Sequence, residues 1–348
     1  MKTLASFMVP FCEQSSRDFI SEQSAEGIGN ITKHFTPAVA NDTFCFELRL
    51  GKINALIDYS LHFSREYGGQ DTLLRIAATP QDTEQLNNNP LWQAIFAFAR
   101  QWKHTADHVW LEFDLDQQQS GAMPLPSLFY CAASPSYQNE ALQHSEQSYI
   151  QQETIRNIAR IFLTPEDLPE IFSQLEFCIE HAPKQAQLNQ VGFGLTRNRQ
   201  CIRLQFIGVH PQQIPDYLQT IGWRGDIEPL LPMLEYMSAL PVDLFALVID
   251  AGKQIAPKIG IECYLKQRDQ RWNSFLAELV NRGLCLTETQ TLAQNYPSVQ
   301  VFHTQQEISL THLRFSHIKI GYDQEHGAGK LEAKAYLFHF PDWKSFAV

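Results

Sequence analysis

No stretch of this chain is apolar for long enough to cross a membrane as a helix, which takes about 20 residues. The opening MKTLASFMVPFC has one lysine before a short apolar run and no clear small-residue cleavage site, so no signal peptide and a cytoplasmic location are expected. Positive charge is scarce. Lys and Arg number 27 against 38 Asp and Glu, a formal charge of −11. That excludes a general nucleic-acid binder, which needs a basic face, though not a local basic cluster. The seven cysteines, Cys12, Cys45, Cys131, Cys178, Cys201, Cys263 and Cys285, form no CxxC pair. They read as small buried hydrophobes in a reducing compartment. There is no P-loop, no GxGxxG, no GxSxG and no HExxH, so nothing points to a nucleotide cradle, a serine-hydrolase elbow or a zincin site. Gly192-Phe-Gly194 is an isolated pair of strand glycines, read as close backbone approach or a bulge.

What the chain has is strict alternation. In His317–His339, Ile318 and Ile320 alternate with His317, Lys319 and Gly321. After Gly327-Ala-Gly329, Leu331, Ala333, Ala335 and Leu337 alternate with Glu332, Lys334, Tyr336 and Phe338. A period of two gives each strand one apolar and one polar face, and the glycines mark the reversal. The same pattern predicts strands over 43–50, 57–62, 108–115, 127–133, 190–195, 201–207, 243–250 and 258–266. Between them, spacing near 3.6 predicts helices near 15–34, from Thr79-Pro80, and over 90–103, 146–162, 165–174, 211–221, 226–239, 271–282 and 287–295. Pro80 suits a first helical position and Gly283 a C-terminal cap.

The order is helical segment, strand pair, helix pair, strand pair, about five times over, a repeat of element order rather than of sequence. Hairpins alternating with helix pairs exclude parallel βαβ winding. About ten antiparallel strands are many for an open sheet, and closure removes the edges. The expected fold class is therefore α+β: one domain over 1–348, a closed antiparallel β-barrel of about ten strands built from five ααββ repeats, helices outside.

Helices bury their apolar stripes on the apolar strand faces, so the polar faces must line the lumen. Those faces carry Glu47, Arg49, Asp58, Trp110, Glu112, Asp114, Arg203, Gln205, Glu262, Tyr264, His317, Lys319, Glu332, Lys334 and Tyr336.

Five ααββ units closing into such a barrel resemble the PT-barrel (ABBA) aromatic prenyltransferases. Asp42-Thr43-Phe44-Cys45-Phe46-Glu47 is similar to the segment that, in the indole prenyltransferases, ends in the acidic residue contacting the indole N–H. Lys334-Ala335-Tyr336 is similar to the Lys-x-Tyr strands that hold the prenyl diphosphate and shield the allyl cation. The resemblance implies a transferase of natural product biosynthesis. Its partners would be a prenyl diphosphate and an aromatic or peptide acceptor. Glu47 would take a hydrogen bond or proton from the nucleophile. Arg49, Arg203, Lys319 and Lys334 would bind diphosphate, and Tyr264, Tyr336 and Trp110 would face the carbocation. Glu262 and His317 complete the expected substrate-binding set.

The chain departs from that pattern in the acidity of its lumen. Cations converging on one diphosphate would fit prenyl transfer, and cations each neutralised by a carboxylate would count against it. Two alternatives follow. Glu112, Asp114, Glu262 and Glu332 with His317 could hold a cationic peptide or amine, or a divalent metal such as Mg2+ bridging to a diphosphate. The lumen could also bind a small molecule without turnover. Acceptor, donor length, metal requirement and oligomeric state are not readable from the residues.

Overall fold

The computed structural model describes residues 3–15, 20–36, 43–53, 57–78, 86, 88–102, 108–115, 124–131, 144–195, 200–240, 242–265, 270–303, 308–324 and 329–346. Its elements follow in chain order: α1 (Ala5–Ser15), α2 (Glu22–Thr32), β1 (Phe44–Arg49), β2 (Asp58–Ser64), α3 (Gly69–Ala78), α4 (Pro90–Gln101), β3 (His108–Phe113) and β4 (Pro126–Cys131). Then come α5 (His144–Phe162), α6 (Leu168–Glu180), β5 (Gln187–Phe193), β6 (Ile202–Ile207), α7 (Ile214–Thr220), α8 (Leu231–Ala239), β7 (Leu244–Ala251) and β8 (Ile255–Tyr264). The last are α9 (Arg271–Asn281), α10 (Thr287–Asn295), β9 (Ser298–His303), β10 (Ile308–Asp323) and β11 (Lys330–Phe346).

One antiparallel sheet holds every strand, in the order β11-β1-β2-β3-β4-β5-β6-β7-β8-β10-β9. It closes because β11 pairs with β1 on one side and with β10 on the other. Ten strands form the ring. β9 lies outside it, on Ile308–Leu313 of β10, while β8 takes His317–Asp323. The barrel and the ααββ order match the expectation. No described helix is long and apolar enough to cross a membrane.

The apolar faces point outward, into the helices. Phe44, Phe46 and Leu48 of β1, Leu111 and Phe113 of β3, Leu204 and Phe206 of β6, and Ile318 and Ile320 of β10 belong to one buried cluster with helical residues such as Phe11, Trp92, Ile155 and Leu279. Local chemistry sets the helix positions. Asn89 starts α4 by accepting from the Leu91 and Trp92 amides at 3.0 and 3.3 Å, with Pro90 in the first turn. Leu91, Trp92, Ile95, Phe96, Phe98 and Ala99 then form its buried stripe. Gly283, at φ +69°, takes the left-handed position after α9 as expected, and the Leu284 amide returns to the Leu279 carbonyl at 2.8 Å.

Several boundaries differ from the sequence reading. The helix expected near 15–34 is α2, shorter and started by Ser21, whose hydroxyl accepts from the Ser24 amide at 3.1 Å, while α1 before it was not expected. α3 and β9 were not expected, and β10 and β11 run well beyond 317–339. The helices expected over 211–221 and 226–239 begin as 3-10 turns at Pro211–Gln213 and Glu228–Leu230. Proline there lacks a donor and suits only the first turn. The start at Thr79-Pro80, the 196–199 turn and Gly327-Ala328 lie outside the described residues.

A bulge in β10 matters for the site. Phe315 pairs with Leu337 but His317 pairs with Tyr336, so one extra residue is inserted. Leu313 and Phe315 face the helices, and after the bulge Ile318, Ile320 and Tyr322 do. The phase shift turns both Ser316 and His317 inward.

Candidate functional site

The lumen encloses a cavity of about 580 Å3, within the usual range of ligand pockets. Trp110, Arg203, Glu262, Tyr264, His317, Lys319 and Tyr336, all expected from the sequence, line it. Glu47, Arg49 and Lys334 are not among its lining residues. They lie behind it, at the seam where β11 meets β1. Phe338, which alternation put on the same face as Lys334 and Tyr336, also lines it, and so do Phe129, Ser316 and Cys131, which alternation did not single out.

Each cation expected to hold phosphate has carboxylates beside it. Arg203 donates to Asp250 through Nε at 2.7 Å and Nη2 at 2.9 Å. Lys319 Nζ lies 3.2 Å from Glu262 Oε1, and Lys334 Nζ 2.5 Å from Glu47 Oε1. Arg49 is ringed by Asp58 at 2.9 Å and by Asp114 and Glu332 at 3.9 Å each. Alternation along β7 also places Asp250. Phe245, Leu247 and Ile249 face the helices, so Ala246, Val248 and Asp250 must face inward.

These pairings fix the charge states. Burial opposes ionisation of Glu47, but Lys334 and the Tyr336 hydroxyl outweigh it and hold the carboxyl well below the usual carboxylate range. Burial likewise opposes the charges of Asp250 and Glu262, yet Arg203 lowers the one, and Lys319 with His317 the other. Asp58 moves the other way, pushed up to about 10 by burial and by the anions Glu47 and Asp114, against Arg49. One guanidinium does not serve three carboxyls, so this cluster retains a proton.

Glu262 is a hub. It accepts from the Tyr264 hydroxyl and from Gln205 Nε2, both at 2.6 Å, as well as from Lys319. His317 Nε2 lies 3.9 Å from it. Burial, first, drives the His317 pKa down to about 4, so the ring is neutral near pH 7. His317 stacks between Tyr264, with centroids 4.5 Å apart, and Tyr336, at 4.1 Å. Three rings from β8, β10 and β11 thus form a continuous wall. Trp110 and Phe338 make a second aromatic contact at 5.4 Å.

Two glycines create the room. A Cβ on Gly192 would sit 2.7 Å from Phe129 Cε1, and a Cβ on Gly260 would overlap the Lys319 stem. The close-approach reading of Gly192 is met.

Among the described residues no three His, Cys, Asp or Glu side chains gather as a metal site. The carboxylates proposed as ligands are spread around the barrel and mostly engaged by Arg and Lys. The residues present do not fit a protein-built Mg2+ site.

No family model matches the chain, and no curated protein matches it by sequence. Solved structures do match in shape. The crystal structure of the prenyltransferase PriB in its apo form superposes with a TM-score of 0.52 at 10% identity, covering 96% of this chain and 94% of that one. The chain has the PT-barrel fold. AnaPT from Neosartorya fischeri gives a TM-score of 0.45 at 11% identity, covering 97% of this chain and 91% of that one. At such identity the PT barrel here is a likeness of fold, and the chemistry has to be argued from the lumen.

Proposed function

We propose that the lumen transfers an allylic prenyl group from a diphosphate to an aromatic or peptide side-chain acceptor. The observation that carries this reading is the three-ring wall of Tyr264, His317 and Tyr336, with Lys319 two residues along the same face of β10. Breaking the allylic C–O bond leaves the electron pair on the diphosphate and a carbocation on the prenyl group. The anion needs cations, here Lys319 and Arg203. The carbocation needs aromatic faces in a site that excludes water. Both tyrosine hydroxyls donate to carboxylates, Tyr264 to Glu262 and Tyr336 to Glu47, which makes their rings richer in electrons. After the acceptor forms its new bond it loses a proton. Tyr336 lines the cavity and donates its hydroxyl hydrogen bond to Glu47, so the arenium proton can pass to the Tyr336 oxygen as the Tyr336 proton passes to Glu47. An arenium ion is acidic enough for even the depressed Glu47 to receive that proton. PriB, a prenyltransferase of the same fold, supports the reading.

The carboxylate beside every lumen cation favours a second reading. A diphosphate must compete with Asp250 for Arg203 and with Glu262 for Lys319. A lumen neutralised in this way suits a cationic peptide or small molecule, or binding without turnover. The deciding experiment incubates the protein with dimethylallyl or geranyl diphosphate plus tryptophan, tyrosine and short peptides, with and without Mg2+. Diphosphate release with a matching mass gain on one acceptor supports transfer. Acceptor binding with no diphosphate released from either donor supports the second reading.

A further inference from the structure

Six lumen carboxyls have a basic partner within 4 Å. Glu47, Asp58, Asp114, Asp250, Glu262 and Glu332 each face an arginine or lysine at 2.5 to 3.9 Å. Glu112 is different. It lines the cavity, and among the described residues it has neither a hydrogen bond nor an ion pair. It lies one residue before the end of β3, opposite Ser60 of β2 and Ser127 of β4. Trp110, two residues before it, shares its face and meets Phe338 at 5.4 Å. Phe129 lies opposite Trp110 on β4. An unpartnered carboxyl beside an aromatic nest lacks one thing, a donor that arrives with the ligand.

We propose that Glu112 is the acceptor-side recognition residue, and that the acceptor is an aromatic amine whose ring lies on Trp110 and Phe338 and whose ammonium group pairs with the Glu112 carboxylate. Charge favours an ammonium over a neutral N–H. Burial, and then the charge of Glu47, raise the pKa of Glu112, against the pull of Arg203, Lys319 and Lys334. The empty site therefore disfavours the ionised form. A ligand cation offsets that penalty more fully than a neutral donor does, because it adds a full charge to the hydrogen bond. Cys45 of β1 and Tyr336 of β11, which also feel Glu112, stay protonated because burial raises both well above their usual values. Arg203, Lys319 and Lys334 offset the penalty only in part, and each already faces its own carboxylate.

The inference rests on the reading that this cavity receives the acceptor, and its test uses no prenyl donor, so failure of transfer and failure of recognition are told apart. Tryptamine and 3-ethylindole, which share a ring and differ in the ammonium group, are titrated calorimetrically from pH 4.5, the ordinary carboxylate value, upward. Tryptamine is expected to bind about tenfold more tightly, the scale of one hydrogen bond to a charged group. Its affinity rises with pH as Glu112 loses its proton, while that of 3-ethylindole stays flat. Glu112→Gln removes both the preference and the pH dependence. Equal affinities, a preference that survives Glu112→Gln, or no tryptamine binding at millimolar concentration overturns the proposal. If Glu112→Gln does not fold, the wild-type pH profiles decide: parallel profiles for the two ligands overturn it.

Discussion

Lys334 Nζ donates to Glu47 Oε1 at 2.5 Å across the seam where the last strand closes on the first. The partners are 287 residues apart in sequence. Both side chains are largely out of water, at 19% and 6% exposure. Removing Glu47 leaves Lys334 with only the more distant Glu332, at 3.8 Å, and breaking such a buried pair costs about 3 kcal/mol. Glu47→Gln is therefore expected to lower unfolding free energy by about that much in urea melts. Glu47→Gln with Lys334→Met should recover most of the loss, because the poorly compensated ammonium is gone and Glu332 keeps Arg49 and Lys52. A cost for the single variant no larger than that for the double variant contradicts this account of the seam.

Arg203 spends two of its donors on Asp250, and this contact decides between the two readings of the lumen. Asp250→Asn keeps an acceptor for Arg203 but removes the competing charge. If the cavity is built for diphosphate, inorganic pyrophosphate should bind the variant at least about tenfold more tightly than the wild type, since a charge pair near a protein surface is worth several kcal/mol. Isothermal titration measures this directly. Unchanged affinity, with the melting temperature preserved, counts for the second reading.

His317 predicts a pH dependence of stability. Its folded pKa is near 4 and its ordinary value 6.5, so between those values the unfolded chain binds the extra proton. Stability falls as pH falls through that window, by up to about 1.4 kcal/mol per pH unit. Buried His339, also held well below its usual value, adds the same sign. Asp58, raised to about 10, adds the opposite one, because its folded form keeps a proton that the unfolded chain loses. The difference between wild type and His317→Gln is thus the readout. It should show the wild type losing about one proton's worth of slope more than the variant between pH 6.5 and 4. Identical slopes would mean that the buried ring is already protonated.

These pairings also mark what the sequence could and could not show. Alternation identified the lumen faces, because a strand with one face in a helix layer and one in a cavity must repeat every two residues. It therefore placed Trp110, Arg203, Glu262, Tyr264, His317, Lys319 and Tyr336 in one lumen. It could not say which carboxylate meets which cation. Glu47 with Lys334 and Arg203 with Asp250 are set by barrel register, which no local pattern encodes. β9 was missed because its alternating Val299 and Val301 are exposed, at 49% and 53%. The Ser316 bulge was invisible, since the alternation on either side of it is regular and only the phase changes.

The cysteines give a simpler check. All seven are buried, and none is paired in a disulfide among the described residues. Burial pushes the Cys131 thiol up to about 12, and Cys45, Cys263 and Cys285 upward too. A thiol alkylates through its thiolate. Iodoacetamide at neutral pH should therefore leave the native protein unlabelled over minutes and modify every cysteine after unfolding, as counted by intact mass. Fast native labelling of Cys45 or Cys131 would show that the lumen lowers a thiol pKa rather than raising it.

Gly192 and Gly260 sit under different kinds of neighbour, and that difference yields the last prediction. A Cβ on Gly192 meets the Phe129 ring at 2.7 Å and Arg203 Cβ at 3.0 Å. Neither atom is the free end of a flexible chain. The ring must swing into the cavity, or β6 must shift and strain the Arg203–Asp250 contact. Overpacking of this kind costs about 1–3 kcal/mol. A Cβ on Gly260 meets the outer stem of Lys319, which can turn away at small cost but gives up its contact with Glu262. Gly192→Ala should therefore lower the melting temperature clearly and shrink the cavity. Gly260→Ala should melt close to wild type yet weaken any anion that relies on Lys319. If the two variants melt alike, the cavity wall is softer at Phe129 than its packing implies. The shape of the lumen would then be set by the ligand rather than by these two glycines.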